Sequence, residues 1–188
     1  MKKLLMTVAL VFIPIMTSFA QDQGELVSSE TGVSYDRLAD LLSQQQWRRA
    51  NDQTLNLLLQ ASGRQTQGWL DLDSYRTLPC TDLEIIDRLW VEYSGGHFGF
   101  SVQLPIFLET GNQPGRLIDE TAFEEFGDRV GWRQEGEWIF FKENLIFSLD
   151  SPDGHLPNPR QIYEVSGNRL DFTTFAQRLV ECKIGLSD

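Results

Sequence analysis

The chain holds 188 residues, with 16 Lys and Arg set against 27 Asp and Glu for a net charge of −11. That length suits one domain with a full core rather than two. The acid excess repels phosphate backbones and anionic membrane surfaces, which excludes nucleic acid as a partner, and a hydrophobic share of 41% excludes a chain disordered throughout.

Met1-Lys2-Lys3 supplies a positive start and Leu4 to Met16 an almost unbroken apolar run, after which Ser18 and Ala20 flank Phe19. This is the layout of a signal peptide over residues 1–20, cut after Ala20. A retained N-terminal membrane anchor is the alternative, but the run falls short of the roughly 20 residues a span needs and is interrupted by Pro14. Cleavage removes Lys2 and Lys3, leaving 14 basic residues (16 − 2) against 27 acidic ones and a net charge of −13. No second apolar run reaches spanning length. Residues 21–32 are polar, carry Gly24 and Gly32, and read as a flexible leader; a single domain is expected over 33–188.

Tyr35, Leu38, Leu41 and Leu42 share one helical face, Gln44-Gln45-Gln46 interrupts the pattern, and Trp47, Ala50, Thr54, Leu57, Leu58 and Ala61 resume it until Gly63. This predicts a helical hairpin. Residues 63–80 read as a long connection. Thr81-Asp82-Leu83-Glu84 fits a capping box, followed by a buried stripe of Leu83, Ile86, Leu89, Trp90 and Tyr93 that ends at Ser94-Gly95-Gly96. Ser101 to Thr110 predicts another helix with Gly111 as its stop, and Pro105 moves its expected start toward Leu104. Asp119 to Phe126 predicts a short helix closed by Gly127.

From Val130 to Pro159 the helical period is lost, and Trp132, Trp138, Phe140, Phe141 and Phe147 crowd together. Strand character is confined to Glu137–Phe141 and Leu145–Leu149, which predicts one small hairpin. Leu170, Phe172, Phe175, Leu179 and Cys182 return to a helical face. The fold class is all-α, a single domain with two long loops. Cys80 and Cys182 are even in number and, in an exported chain, suit a disulfide; two separate buried thiols remain the alternative.

Catalytic patterns do not assemble. His97 and His155 have no second ligand at metal-binding spacing, Ser101 lacks a nucleophile elbow, and Asp71 with Asp73 reads as a solvated or capping pair. Cys80, beside Pro79 and before the capping box, reads as structural. The expectation is therefore a non-enzyme without a metal site. The aromatic stretch is too apolar to be disordered and too long for an idle connection, so it points to a groove for a flat, apolar ligand.

Gly63-Arg64 with Gly68-Trp69-Leu70-Asp71, Pro79-Cys80-x-Asp82-Leu83 and Ile86-Asp87-x-Leu89-Trp90-Val91-x-Tyr93-Ser94 resemble the genomes-uncoupled-four family. So do Phe98 to Gln103, Phe126 to Arg133 and Gly154-His155-Leu156-Pro157. The resemblance covers roughly Val33 to Pro157. It implies an all-helical, cupped domain that binds porphyrins such as protoporphyrin IX or Mg-protoporphyrin IX; in cyanobacteria and plastids such proteins assist magnesium chelatase in chlorophyll synthesis.

By the same resemblance, the loops flanking the cup are Arg64–Pro79 and Gly131–Arg160. Trp138, Phe141 and Leu145 take the places of the large apolar loop residues, and Trp69, Leu72, Val130 and Trp132 line or support the palm. Leu145 stands where the family often has an aromatic residue. Past Pro157, where the family commonly supplies arginines for the ligand's carboxylates, only Arg160 and Arg169 stand near, and Arg160 is the expected partner of a ligand carboxylate. Export, to a periplasm or a thylakoid lumen, departs from the chelatase setting. The expected role is a carrier, scavenger or sensor of tetrapyrroles outside the cytoplasm. Alternatives are an interaction module that keeps the fold without the ligand, or a chelatase accessory regulator if the chain is not exported.

Overall fold

The computed structural model describes residues 26–158 and 168–186. The signal peptide, Arg160 and Pro159 lie outside the described residues. Helix α1 spans Asp36–Ser43 and buries Leu38, Leu41 and Leu42; α2 spans Trp47–Ala61 and buries Trp47, Ala50, Thr54, Leu57, Leu58 and Leu59. The expected hairpin is there, its corner made at Gln45 with φ of 54°. Both helices pack on α4, Cys80–Ser94. There Trp47 stacks on Trp90 at 6.0 Å between ring centroids, and the Trp90 indole N–H donates to Thr54 Oγ1 at 2.9 Å.

Inside the long connection lies a helix the periodicity did not show, α3, Leu72–Thr77. It is too short for a periodic signal, but its start is marked by Asp71, whose carboxylate accepts the Ser74 N–H at 2.8 Å. The expected capping box at Thr81–Glu84 does not form. Helix α4 begins two residues earlier, with Pro79 at its N-cap; Thr81 Oγ1 donates to Glu30 Oε1 at 2.7 Å, and Asp82 is turned inward. The Asp82 carboxylate is fully buried and accepts from Ser28 Oγ, Thr31 Oγ1 and Tyr35 Oη, each at 2.6 Å. The leader expected as flexible is therefore, from Leu26 onward, a fastened turn: Ser28 is buried and Val27 bridges to Ser34.

Helix α5, Phe100–Glu109, runs through Pro105 instead of starting near it. Its first turn is held from outside, because Asp87 Oδ1 accepts the Ser101 N–H at 2.8 Å, and Phe100, Gln103, Leu104 and Phe107 are all buried. Helix α6, Glu120–Arg129, likewise passes through Gly127, which the sequence marked as its stop. The left-handed residue that ends it is Gly131, with φ of 71°.

The small hairpin exists with other partners than expected. Strand β1, Arg133–Gln134, pairs antiparallel with β2, Glu137–Trp138, across Glu135 and Gly136. Both have positive φ, 52° and 84°, as a two-residue primed turn requires. Leu145–Leu149 carries no strand; a short 3-10 turn at Lys142–Asn144 precedes it. The last helix, α7, Arg169–Glu181, buries Phe172, Phe175, Ala176 and Leu179 and leaves Leu170 exposed. Phe172 meets Phe107, Phe126 and Trp132 with centroids within 5.4 Å, so α5, α6 and α7 close over one aromatic core. Cys182, just past α7, is bonded to Cys80 at the start of α4 with their Cα atoms 5.2 Å apart. The fold is mostly helical with one small antiparallel pair, and no helix among the described residues is long and apolar enough to cross a membrane.

Candidate functional site

Arg48, Asp52, Leu55 and Leu59 fall at i, i+4, i+7 and i+11 on α2 and so share one face. From Arg48 to Leu59 the stripe extends about 16 Å at 1.5 Å per residue. Leu59 is buried, Leu55 partly so, and Arg48 exposed. Each end of this stripe receives one of the two long loops.

At the N-terminal end the loop after β2 is fastened by two contacts. Lys142 Nζ meets Asp52 Oδ1 at 2.5 Å, and the Arg48 guanidinium lies over the Phe147 ring, 4.3 Å from its centroid. Phe140 and Phe141 precede this attachment, edge to face with centroids 5.0 Å apart, and are 52% and 60% exposed. At the C-terminal end of α2, Arg64 organises the other loop. Its guanidinium lies 4.9 Å from the Trp69 ring, its Nε donates to the Trp69 carbonyl at 3.3 Å, and its Nη2 pairs with Asp71 Oδ2 at 3.1 Å. The Ser74 hydroxyl and N–H, with a smaller contribution from Arg64, hold the Asp71 carboxyl below its ordinary value. Trp69 is 51% exposed and Leu72 half-buried. Among the described residues Trp69, Phe140 and Phe141 are the only exposed aromatic side chains, and all three stand on these two loops.

The remaining expected site residues support the walls. Val130 and Trp132 are fully buried and Leu145 nearly so, and they offer no face to a ligand in this structure. Trp138 is half-buried against α6: its ring lies 5.1 Å from that of Phe123, over Gly127, and the Arg133 guanidinium sits 5.5 Å from it. Trp132 donates its indole N–H to the His155 carbonyl at 2.9 Å. His155 is itself buried, with Nδ1 2.7 Å from the Val130 carbonyl and Nε2 accepting the Ile146 N–H at 3.0 Å. That pair of contacts defines the neutral tautomer with the proton on Nδ1. His97 is engaged as well, with Nδ1 2.5 Å from Asp153 and Nε2 2.7 Å from the Ser151 carbonyl. Both imidazoles pin the stem of the loop. No group of three metal-ligating side chains gathers among the described residues.

Phe140, Arg48, Asp52 and Lys142 were not among the expected site residues. The adjacent phenylalanines were visible in the sequence, but their exposure was not. The stripe on α2 could have been read from its spacing; Arg48 and Asp52 passed as solvated charges because only the fold brings Phe147 and Lys142 to them.

Residues 28–172 match the model of the GUN4-like family. A Ycf53-like protein of Synechocystis is 29% identical over 138 residues, covering 72% of this chain and 55% of that protein. A protein of Arabidopsis thaliana named "Tetrapyrrole-binding protein, chloroplastic" is 30% identical over 139 residues, 68% of this chain and 49% of its own length. The chain thus spans about half the length of these curated relatives. Among solved structures, ligand-free GUN4 of Arabidopsis thaliana superposes with a TM-score of 0.60 at 27% identity, covering 76% of this chain and 93% of that one. GUN4 of Chlamydomonas reinhardtii gives 0.61 at 26% identity, with 79% and 92% covered.

Proposed function

The chain belongs to the GUN4-like family, and from that membership together with the geometry of the two loops we propose that it binds a porphyrin, protoporphyrin IX or its magnesium complex, without catalysing a reaction on it. One observation carries the reading: Trp69 stays exposed on the loop that follows α2, and Phe140 and Phe141 on the loop fastened to Asp52 and Arg48 of α2, while the other described aromatics are packed. Exposed aromatic rings cost hydrophobic free energy unless they have a ligand to cover them, and a macrocycle offers two apolar faces for stacking. Leu55 on α2 and Leu72 on α3, both partly buried, add apolar surface to the same region. The name of the Arabidopsis relative points to the same ligand class.

Recognition of the ligand rests on its faces and edge. His97 and His155, the only histidines in the chain, are committed to loop contacts, so metalated and metal-free porphyrins are bound alike. The N-terminal apolar run and the Cys80–Cys182 bridge both suit an oxidising compartment, and they support a carrier, scavenger or sensor outside the cytoplasm. Titrating the protein with protoporphyrin IX while following tryptophan emission tests this. Saturable quenching with Trp69 as a main contributor is expected; an unchanged emission spectrum leaves the interaction-module reading in its place.

A further inference from the structure

The cations facing the site are already engaged: Arg48 lies over the Phe147 ring, and the other two are held by the chain's own carboxylates. Lys142 is held by Asp52, and Arg64 by Asp71. Asp71 has a second duty, since it also caps α3 through Ser74. Asp52 has no second duty among the described residues: its side chain meets Lys142 alone there and is 44% exposed. Lys142 follows directly on Phe141, so the ammonium and the exposed ring belong to the same short turn. A ligand face lying on Phe141 brings its rim within reach of Lys142.

Resting on the tetrapyrrole reading, we propose that Asp52 is an internal competitor for the ligand's carboxylate. Lys142 exchanges Asp52 for a carboxylate on the edge of the macrocycle, and the Lys142–Asp52 pair keeps the loop fastened to α2 until that exchange. The chemistry balances without any redox or covalent step: one ion pair is broken, one is formed, and the Asp52 carboxylate returns to water. A partly exposed pair is weak enough to be displaced, and the exchange costs the loop only one of its two fastenings, because Arg48 remains over Phe147. The arrangement favours ligands bearing carboxylates over neutral macrocycles of the same shape, since only a carboxylate replaces what Lys142 gives up.

The test compares protoporphyrin IX with its dimethyl ester on the full chain, for wild type, Asp52→Asn, Lys142→Gln and the double variant. Removing the competitor is expected to tighten the free acid about three- to five-fold relative to the ester, the scale of an exposed ion pair. Lys142→Gln is expected to weaken the acid more than the ester and to abolish the effect of Asp52→Asn on the acid-to-ester ratio in the double variant. Circular dichroism checks that all four proteins are folded. Equal affinities of wild type and Asp52→Asn for the acid, or equal responses of acid and ester, overturn the exchange while leaving porphyrin binding standing. Failure of wild type to bind either compound overturns both.

Discussion

Gly127 lies inside α6 beneath the Trp138 indole, where an added Cβ would stand 2.5 Å from both Cη2 and Cζ3. Gly127→Ala gains about 1 kcal/mol of helix propensity and loses roughly 1–3 kcal/mol to overpacking. The expected outcome is a lower melting temperature with a red-shifted tryptophan emission as Trp138 leaves its seat. A second residue-scale expectation concerns His155. With Nδ1 at the Val130 carbonyl and Nε2 at the Ile146 N–H, its replacement by Ala should destabilise the loop stem and weaken metal-free and magnesium porphyrins to the same degree. A loss confined to the magnesium form, seen by parallel titrations, would contradict the assignment. These two residues show what single positions reveal in a sequence. Gly127 looked like a helix stop because glycine usually is one; that an indole needed the space is a tertiary fact. Leu145 and Trp132 were legible as apolar, but the direction they face depends on how the loop folds back.

Helix ends were harder to read than helix faces, and the reason lies in where their hydrogen bonds go. The buried stripes of α1, α2 and α4 follow a period that repeats over several turns, so each residue corroborates the next. An end rests on one or two side chains, and in this protein several come from far along the chain. Asp82, placed as if for a capping box, instead gathers Ser28, Thr31 and Tyr35; burial first, then the bond to that carboxylate, pushes the Tyr35 phenol far above its ordinary value. Asp87 secures the start of α5 from the middle of α4. Its burial raises its carboxyl above the ordinary 3.8, against the lowering effect of the Ser101 and Phe100 hydrogen bonds. Between 3.8 and that raised value the folded state binds more protons than the unfolded one, so this group's contribution to stability falls as pH rises through the window. Asp87→Asn keeps an acceptor for the Ser101 N–H and removes the titration. Urea unfolding at several pH values should therefore show wild type losing stability relative to the variant as pH climbs from 3.8, and the difference levelling off above the window.

At the scale of the whole molecule, α7 is a strut shared by the supports of both loops. Helix α7 touches α3 below the Trp69 loop through Phe175 and Tyr75, and the opposite wall through Phe172 and Trp132. Its far end is tied to α4 by the Cys80–Cys182 bridge, across 102 residues of chain. A loop of that length implies roughly 4 to 5 kcal/mol of stabilisation on the chain-entropy account. Denaturant unfolding with and without a dithiol reductant should differ by an amount of that order, with the reduced protein the weaker. The all-helical class was legible from periodicity, and the cup from the resemblance carried by motifs such as Gly68-Trp69-Leu70-Asp71. The pairing of each loop with one end of α2 was not, because it depends on contacts like Lys142 with Asp52, 90 residues apart. The central claim is that these two loops clasp one ligand between them, and it is tested most directly by protoporphyrin IX affinities for Trp69→Ala, Phe141→Ala and the wild type. Each ring buries area worth roughly 1.5 to 3 kcal/mol. The account therefore predicts that each substitution, one on either loop, weakens binding by about one to two powers of ten while the circular dichroism spectrum is unchanged. Wild-type affinity in both folded variants would contradict it.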